Sequence, residues 1–425
     1  MCSGASRRLR LPSGKYVSCQ ADPEMTLVRR LTLMLTVSLA GAFTLPVAAD
    51  AASSCGATAR HVSGSGDVCV SRTDRRGAKV VAAVRAIRAE RKTAATVFGV
   101  WDGSRLLASG AIGNAMPGVP ATRDLHLRIS NVTESFVSTL LLQLVDAGKI
   151  RLSDPVSRWY PNFPRAREIT VGMLARMTSG IGDYVTSDAF VSAFHANPFR
   201  HWDPAELTAI AASQPTTFAP GTSWAFSDSN YVLLGRILTR VGGAPLGRQL
   251  KNRILGPLGL RSTRMVTNGA LPSPALHMYA AERGPYEETT YWDPTWATGT
   301  GNMISTLSDL GRWARALGTG SLLSHASAKL QTGTVNVGLG PLTTMRRYGL
   351  GIGIAGGWIL ANPQMPGFNG ILAYLPSKRL SVVVWSSMTA ANSPTIHYST
   401  YFLISIAKAL TGVAPPVNPN PRPNG

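Results

Sequence analysis

The sequence predicts an α/β protein of the α+β type, in which both ends of the chain build one antiparallel sheet and an all-helical region is inserted between them. Strand-like segments occur early, on either side of an Asp102-Gly103 turn. Helical patterns and Gly/Pro-rich loops then fill residues 125–265, and strand-like segments return after residue 348. The chain has 425 residues, 44% of them hydrophobic, so it is long enough to bury a large core.

The first 51 residues are predicted to be a secretory signal peptide. An apolar run over residues 31–49 follows Arg29 and Arg30, and the small residues VAADAASS come after it. Signal peptidase recognises this arrangement, which places the cleavage point between about residues 49 and 52. Met25 lies just upstream and is an alternative start of the protein. Another interpretation is an uncleaved membrane anchor formed by residues 31–49, because the run approaches spanning length.

Residues 52–72 are predicted to form an N-terminal arm held by a cysteine pair. Once the signal peptide is removed, Cys55 and Cys69 are the cysteines that remain. In an oxidising compartment such a pair is most simply a disulfide. The sequence contains no Cys-x-x-Cys or His-Glu-x-x-His spacing, so we expect neither a zinc site nor a cofactor.

Residues 73–411 are predicted to form one domain. Residues 75–92 carry small and aliphatic side chains among arginines and indicate a surface helix. Residues 93–113 (TAATVFGVWDGSRLLASGAIG) are typical of two strands joined by a tight turn. Towards the C-terminus YGLGIGIAG, GWILA, GILAYLP and LSVVVWSSM predict strands, and residues 395–410 predict a final helix. Residues 412–425 are rich in Pro and Asn and are predicted to be disordered.

The formal charge of +20 comes mainly from arginine, because 34 of the 42 basic residues are Arg and eight are Lys. No recognisable nucleic-acid module accompanies this charge, and aromatic residues make up only 7% of the chain. We therefore expect a solvated Arg-rich surface and no nucleic-acid partner. The same charge would suit peripheral association with an anionic cell wall or membrane surface.

Five segments occur in an order that resembles the family of class C-like serine β-lactamases, D-Ala-D-Ala carboxypeptidases and related esterases. They are RISNVTESF (128–136), EITVGMLARMTSGIGDY (168–184), FAPGTSWAFSDSNYVLLGRIL (218–238), NRILGPLGLRSTRM (252–265) and TGTGNMISTLSDLGRWARAL (298–317). Single segments could match by chance, but five in the correct order are specific. The resemblance extends over about residues 97–409. It implies a β-lactamase/transpeptidase-like fold, in agreement with the patterns above.

The resemblance also implies three catalytic motifs, and all three are altered here. The family's Ser-x-x-Lys motif supplies a nucleophile and its base, and the two positions are Asn131 and Glu134 in this sequence. The Tyr-x-Asn motif reads Phe-Ser-Asp, with Phe226 and Asp228 at the functional positions. The Lys/His-x-Gly motif is best matched by the Phe-Asn-Gly that begins at Phe368. We therefore expect no catalytic residue of the family to be intact.

Two interpretations of these replacements stay open. Asn131 and Glu134 have the spacing of a helix capping box, and Phe226 and Phe368 would fill the old pocket with apolar area. Alternatively, Glu134 and Asp228 face each other in one small cavity, where the pKa of at least one carboxyl must rise. Together with the amide oxygen of Asn131, such a pair is a candidate cation site, or an acid–base pair acting on a wall glycan.

The leading hypothesis is an exported, catalytically inactive member of this family whose cleft binds a wall peptide, a lipid-like ester or an envelope protein. One rival is a hydrolase that uses Ser130, Ser227 or the carboxylate pair. Another is a structural envelope protein whose cleft is closed by the two phenylalanines. An open pocket floored by Asn131 would favour binding, whereas a serine facing backbone amides would favour the enzyme.

Overall fold

The computed structural model describes residues 55–420 apart from Ser65 and Thr334, together with the backbone of two short strands nearer the N-terminus. Met1–Ala51 form one unit and Ala52–Gly425 form another. In the first unit, strands β1 (Arg8–Arg10) and β2 (Tyr16–Ser18) pair antiparallel. The predicted cleavage point and the alternative anchor over residues 31–49 lie outside the described residues. Among the helices that are described, none has the length and hydrophobicity needed to cross a membrane.

The second unit contains one large antiparallel sheet and several shorter strands outside it. In chain order its strands are β3 (Ala59–His61), β4 (Asp67–Ser71), β5 (Ala95–Asp102), β6 (Arg105–Met116), β7 (Val119–Pro120), β8 (His126–Arg128), β9 (Arg264–Met265), β10 (Tyr279–Ala280), β11 (Glu287–Glu288), β12 (Met303–Thr306), β13 (Arg346–Tyr348), β14 (Gly353–Ala355), β15 (Trp358–Ala361), β16 (Gln364–Met365), β17 (Phe368–Leu375) and β18 (Leu380–Ser387). The main sheet has the order β13-β14-β15-β17-β18-β5-β6-β4-β3, with β16 beside β17 and β7 beside β6. Strand β18, from the C-terminal part, pairs along its whole length with β5, from the N-terminal part. The predicted sheet built from both ends of the chain is therefore confirmed.

Helices cover both faces of this sheet. They are α1 (Arg76–Arg91), α2 (Val132–Asp146), α3 (Val171–Ala175), α4 (Asp188–Ala196), α5 (Pro204–Ser213), α6 (Asp228–Gly242), α7 (Leu246–Leu250), α8 (Leu307–Thr319), α9 (His325–Gln331) and α10 (Tyr398–Thr411). Helices α1 and α10 pack on each other and on one face of the sheet, and α8 packs on the opposite face. The stacked rings of Phe136 and Trp313, with centroids 3.8 Å apart, join α8 to α2 in the inserted helical region.

Each face of the sheet has its own apolar core because successive residues of a strand point to opposite sides. In β18, Val383 and Trp385 belong to the core shared with the inserted helices. Val382 and Val384 belong to the core under α1 and α10. Because both faces are covered, the middle of β18, residues 382–385 (VVVW), is continuously apolar rather than alternating.

Some elements differ from the sequence prediction. The final helix begins at Tyr398, three residues later than predicted, because residues 393–395 form a turn in which the Ser393 hydroxyl accepts from the Thr395 amide. The three-stranded sheet β8-β12-β9 and the hairpin of β10 and β11 were not predicted, since their strands are only two to four residues long. The tail was predicted to be disordered, yet the His397 amide donates to the Pro419 carbonyl, so part of it contacts the domain.

The two cysteines of the N-terminal arm lie side by side. Their Cα atoms are 5.6 Å apart, within the range that disulfides adopt. Cys69 is in β4, and Cys55 precedes the neighbouring edge strand β3. The disulfide itself stays a prediction.

Candidate functional site

The candidate site is the N-terminal end of α2, which two strands hold in place. Arg128 ends strand β8 and pairs with Ile304 of β12, and the Ile129 amide donates to the Met303 carbonyl. The chain then turns through Ser130, whose φ of 42° is left-handed. Residues other than glycine seldom adopt this backbone conformation, and where they do the position is often functional. The turn delivers Asn131 directly to the start of the helix.

Asn131 does not cap the helix as predicted. Its backbone is already helical, with φ −59° and ψ −8°, and its side chain makes no capping hydrogen bond. An N-cap residue needs an extended backbone. After the turn at Ser130, the backbone of Asn131 is helical instead. Instead, the Asn131 side-chain oxygen lies 2.8 Å from the Ser130 hydroxyl, and its Nδ2 donates to Glu134 Oε1 at 3.2 Å. The capping-box interpretation is therefore wrong, and Asn131 and Glu134 form a polar pair.

Glu134 is buried one helical turn below Asn131, with 2% of its surface exposed. Its second oxygen, Oε2, accepts a hydrogen bond of 2.9 Å from the Tyr348 hydroxyl. Burial raises the pKa of Glu134 well above its ordinary value, and the negative charge of Asp228 raises it further. The hydrogen bonds from Tyr348 and Asn131 lower the pKa only in part. Burial and the nearby charge therefore favour the protonated form of Glu134.

Asp228 is the first residue of α6 and is also buried. Its carboxylate accepts a hydrogen bond from the Thr300 hydroxyl, and its backbone amide donates to Asp183 Oδ1 at 3.2 Å. Burial raises the pKa of Asp228 from 3.8 to about 6. Burial, and then the charge of Asp228, raises the pKa of Asp183 as well. Three carboxyl groups therefore influence one another around this site, the buried Glu134 and Asp228 and the half-buried Asp183.

The two phenylalanines differ in burial. Phe226 is 41% exposed, because the segment before α6 holds its ring at the surface. Phe368 is 1% exposed and packs within the main core. The pocket-filling interpretation is therefore wrong for Phe226 and stays a prediction for Phe368. The structural hypothesis, in which both rings close the cleft, loses the support of Phe226.

The segment that reaches the start of α2 is β16, four residues before Phe368. The Gln364 carbonyl lies 2.9 Å from the Ser130 hydroxyl. A cavity of about 200 Å³ opens beside Gln364 and Met365, and Tyr279 and Met388 line its other side. Ser130, Asn131, Glu134 and Asp228 do not line this cavity, so Gln364 is the residue that connects it to the candidate site.

Neither candidate serine is arranged as a nucleophile. Ser130 is 3% exposed, and its hydroxyl lies against two acceptor oxygens rather than backbone amides. Ser227 is 2% exposed, and its hydroxyl is buried without a hydrogen-bond partner among the described residues. A serine nucleophile needs an adjacent base, and no hydrogen bond of either serine reaches one in the part of the chain that is described.

The candidate cation site of Asn131, Glu134 and Asp228 gains no further ligands. Among the described residues, no group of three or more His, Cys, Asp or Glu side chains is placed to hold a metal ion. The Asn131 oxygen is also within hydrogen-bonding distance of the Ser130 hydroxyl. Cation binding therefore stays a prediction.

Sequence reasoning missed four residues of this network, namely Asp183, Thr300, Tyr348 and Gln364. Asp183 and Thr300 lie inside segments that carry the family resemblance, so their positions were visible but their roles were not. Tyr348 contacts Glu134 from 214 residues away, and such a contact has no local signal. A search for polar residues in otherwise apolar or Gly-rich segments would have found Asp183 and Thr300.

Comparison with known proteins supports the resemblance. The beta-lactamase family model matches residues 80–397. The chain is 30% identical over 344 residues to penicillin-binding protein 4 of Amycolatopsis lactamdurans, a match that covers 74% of this chain and 86% of that protein. It is 29% identical over 263 residues to the putative penicillin-binding protein PbpX of Bacillus subtilis. That match covers 61% of each protein, so the chain spans less than two thirds of the length of this relative.

Solved structures agree with this assignment. The D-stereospecific amidohydrolase from a Streptomyces species superposes with a TM-score of 0.70 and is 29% identical to the chain. The superposition covers 80% of this chain and 99% of that one. The predicted family resemblance and the predicted fold are both confirmed.

Proposed function

Because the chain belongs to the beta-lactamase family, we propose that it is an exported member that binds a ligand in the cleft without forming an acyl-enzyme. The observation that carries this proposal is the pair at the start of α2. Asn131 has no hydroxyl to attack an acyl group, and it is hydrogen-bonded to Glu134 where the family motif has a lysine. Acyl transfer through serine needs a hydroxyl and a base in contact. Neither is present at these positions.

The surroundings of the pair support the same conclusion. The pKa of Glu134 is raised by burial and by Asp228, so this carboxyl is a poor replacement for a cationic lysine. Phe226 carries no hydroxyl that could relay a proton, and its ring faces solvent. Removing a nucleophile or a base alone typically costs several orders of magnitude in rate. Removing both leaves binding as the property that the cleft can retain.

The proposed ligand is an amide or ester of the kind suggested by the relatives, held intact in the cavity beside Gln364. This cavity of about 200 Å³ is lined by Gln364, whose carbonyl accepts from the Ser130 hydroxyl, and neither phenylalanine is among its lining residues. A wall peptide, a lipid-like ester and an envelope protein are the three ligands that fit an exported member of the family. Association with the wall or membrane through the basic surface is part of the same proposal.

An activity screen tests the proposal. The parent protein, given a chromogenic cephalosporin, short-chain nitrophenyl esters and a D-Ala-D-Ala peptide, is expected to show no turnover above a heat-treated sample. It is also expected to gain no adduct from penicillin or a fluorophosphonate, as measured by intact mass. Turnover by the parent that is lost in Ser130→Ala would contradict the proposal and assign the chemistry to Ser130.

A back-mutant tests whether the scaffold is competent. It carries Asn131→Ser, Glu134→Lys, Phe226→Tyr and Asp228→Asn. Acylation by penicillin in this variant is the expected result. Its matched control keeps the last three changes and carries Asn131→Ala, which supplies a base but no nucleophile. Equal behaviour of the two variants would show that the position of Asn131 cannot support acylation.

Export is tested separately on the N-terminus of the protein. If the predicted signal peptide is cleaved, protein recovered from the culture medium or cell envelope begins between about residues 49 and 52. Mass spectrometry of the N-terminal peptide measures this directly. An intact residue 31–49 segment in membrane-bound protein would instead establish the anchor.

A further inference from the structure

A second cavity, of about 430 Å³, lies at one end of the main sheet. It is bounded by the end of β6, by Ser387 at the end of β18 and by the hairpin of β10 and β11. This volume is in the range of small-molecule binding sites. Asn131, Glu134 and Asp228 do not line it, so it is separate from the carboxyl network.

One wall of this cavity is aromatic. The rings of Tyr279 and Tyr286 are stacked, with centroids 6.0 Å apart and planes 28° apart. The Tyr286 hydroxyl donates to the Met388 carbonyl at 3.2 Å, which holds that ring against the end of β18. Tyr286 is nevertheless 46% exposed, so its ring still offers area to a ligand. Tyr279, Tyr286 and Met388 also line the 200 Å³ cavity and therefore form the wall between the two spaces.

The charged side chains that line the cavity are acidic, although the chain as a whole carries a charge of +20. They are Glu287 and Glu288, and neither Lys nor Arg lines the cavity in the part of the chain that the structure describes. Arg283 neutralises Glu287 through two hydrogen bonds of 2.8 Å. The negative potential of the cavity therefore comes mainly from Glu288.

Glu288 is held in position while keeping one oxygen available. Its Oε1 lies 2.6 Å from His277 Nδ1, and its side chain is 37% exposed. Its Oε2 makes no hydrogen bond within the described structure. Glu288 is the cross-strand partner of Tyr279 in the β10–β11 hairpin, so the two side chains lie on the same face. Glu288 therefore lines the same cavity as the two tyrosine rings, with one carboxylate oxygen that makes no hydrogen bond among the described residues.

We propose that this cavity binds a small ligand that carries an ammonium group beside an aromatic or other apolar body. The ammonium group would pair with Glu288, and the faces of Tyr279 and Tyr286 would attract both the cation and the apolar part. An anion is disfavoured, because it would face Glu288 without a Lys or Arg in the lining, and the imidazole of His277 is already in contact with Glu288. The proposal does not depend on the loss of acyl transfer at Asn131.

Three probes of matched shape test the proposal by titration calorimetry at pH 7. They are 2-phenylethylamine, 2-phenylethanol and phenylacetate, which present a cation, a neutral group and an anion on the same ring. The amine is expected to bind saturably, the alcohol at least about tenfold more weakly, and the acid not at all. Equal affinity for the amine and the alcohol, or no binding of the amine, would overturn the proposal.

Two variants locate the binding. Glu288→Gln keeps the shape of the side chain and is expected to weaken amine binding by about tenfold or more. Tyr286→Ala removes one aromatic face and is expected to weaken it by about two- to fivefold. Glu90→Gln, an exposed change on α1, is the matched control and should leave the affinity unchanged. Binding of the amine that is equal in Glu288→Gln and in the parent would place it elsewhere and refute the assignment.

Discussion

At the scale of single residues, the ionisation of Asp228 makes the free energy of unfolding depend on pH. A carboxyl whose pKa is higher in the folded than in the unfolded protein binds its proton more tightly when folded. Its stabilising contribution is therefore complete below the unfolded value near 3.8 and is lost as the pH rises through the folded value of about 6. Glu134 and Asp183 act in the same direction, since their pKa values are raised as well.

We therefore expect the free energy of unfolding to fall as the pH rises from about 4 to above 6, by about 3 kcal/mol from Asp228 alone. Asp228→Asn keeps an acceptor for the Thr300 hydroxyl but cannot ionise, so its stability should depend less on pH. Urea unfolding at pH 4.5, 6 and 8 measures both proteins. Glu90→Gln, at an exposed position, is the control. Parallel pH profiles for Asp228→Asn and the parent would refute this assignment.

Gly351 shows how closely the backbone packs under the site. Its φ is +68°, and a Cβ atom there would lie 2.6 Å from the Glu134 carbonyl oxygen and 2.7 Å from the Tyr231 hydroxyl. Gly351→Ala is therefore expected to lower the free energy of unfolding by about 2–4 kcal/mol, through the left-handed backbone and the overlap together. Gly338→Ala is the matched control, because its φ is +88° with nothing within 4 Å. Chemical denaturation of both variants should show Gly338→Ala losing only about 1–2 kcal/mol. Equal losses would contradict the packing argument.

At the scale of elements, strand β8 is tied to the loop region before β12 by Arg128. This guanidinium is 5% exposed and donates to the carbonyls of Thr290 at 2.9 Å and Gly269 at 2.6 Å. Burial lowers the pKa of Arg128 to about 10. The Arg128 carbonyl in turn accepts from Trp385 Nε1 of β18 at 3.0 Å. One residue therefore connects the start of α2 to the main sheet and to the segment that lines the cavities.

Arg128→Met should consequently destabilise the protein by about 2–4 kcal/mol, because it leaves buried carbonyl groups without donors. Thermal unfolding followed by circular dichroism measures the loss. Arg264→Met, at an exposed position on the same three-stranded sheet, should change stability by no more than about 0.5 kcal/mol. Equal stability of the two variants would show that the hydrogen bonds of Arg128 add no stability beyond that of hydrogen bonds to water.

The sequence predicted the long elements and the family, and it failed where structure depends on distant contacts. Strands β5, β6, β17 and β18 are eight or more residues long, and their apolar patterns predicted them well. Strands β10 and β11 have two residues each, which is too short for any periodic signal. The capping box failed for a similar reason, because the conformation of Ser130 is set by tertiary contacts rather than by local sequence.

The site was predicted in the same partial way. Asn131, Glu134 and Asp228 lie in segments with strong family patterns, so their place at one site followed from the resemblance. Their partners Thr300 and Tyr348 come from other parts of the chain, 72 residues from Asp228 and 214 residues from Glu134. Only the fold brings these hydroxyl groups to the carboxyls. The hydrogen-bond network therefore had to be read from the structure.

At the scale of the whole molecule, the N-terminal part stabilises the fold by completing the main sheet. The pairing of β5 with β18 joins Ala95 to Ser387, so the sheet cannot form without both ends of the chain. Among the described residues, strand β3 is at the edge of the main sheet and pairs only with β4. An edge strand of three residues has few hydrogen bonds to hold it. The cysteine pair lies at this edge, where a covalent link would have most effect.

The predicted disulfide between Cys55 and Cys69 should therefore stabilise the edge of the sheet. It would close a loop with a sequence separation of 14, for which chain entropy predicts about 3 kcal/mol of stabilisation. Cys55→Ser is the better test, because Cys69 is fully buried and its replacement would also disturb the core. We expect Cys55→Ser and the reduced parent to unfold at the same lower urea concentration, and Cys55→Ser to be insensitive to reductant. Alkylation of both cysteines in the unfolded parent without reductant, measured by intact mass, would show that the link does not form.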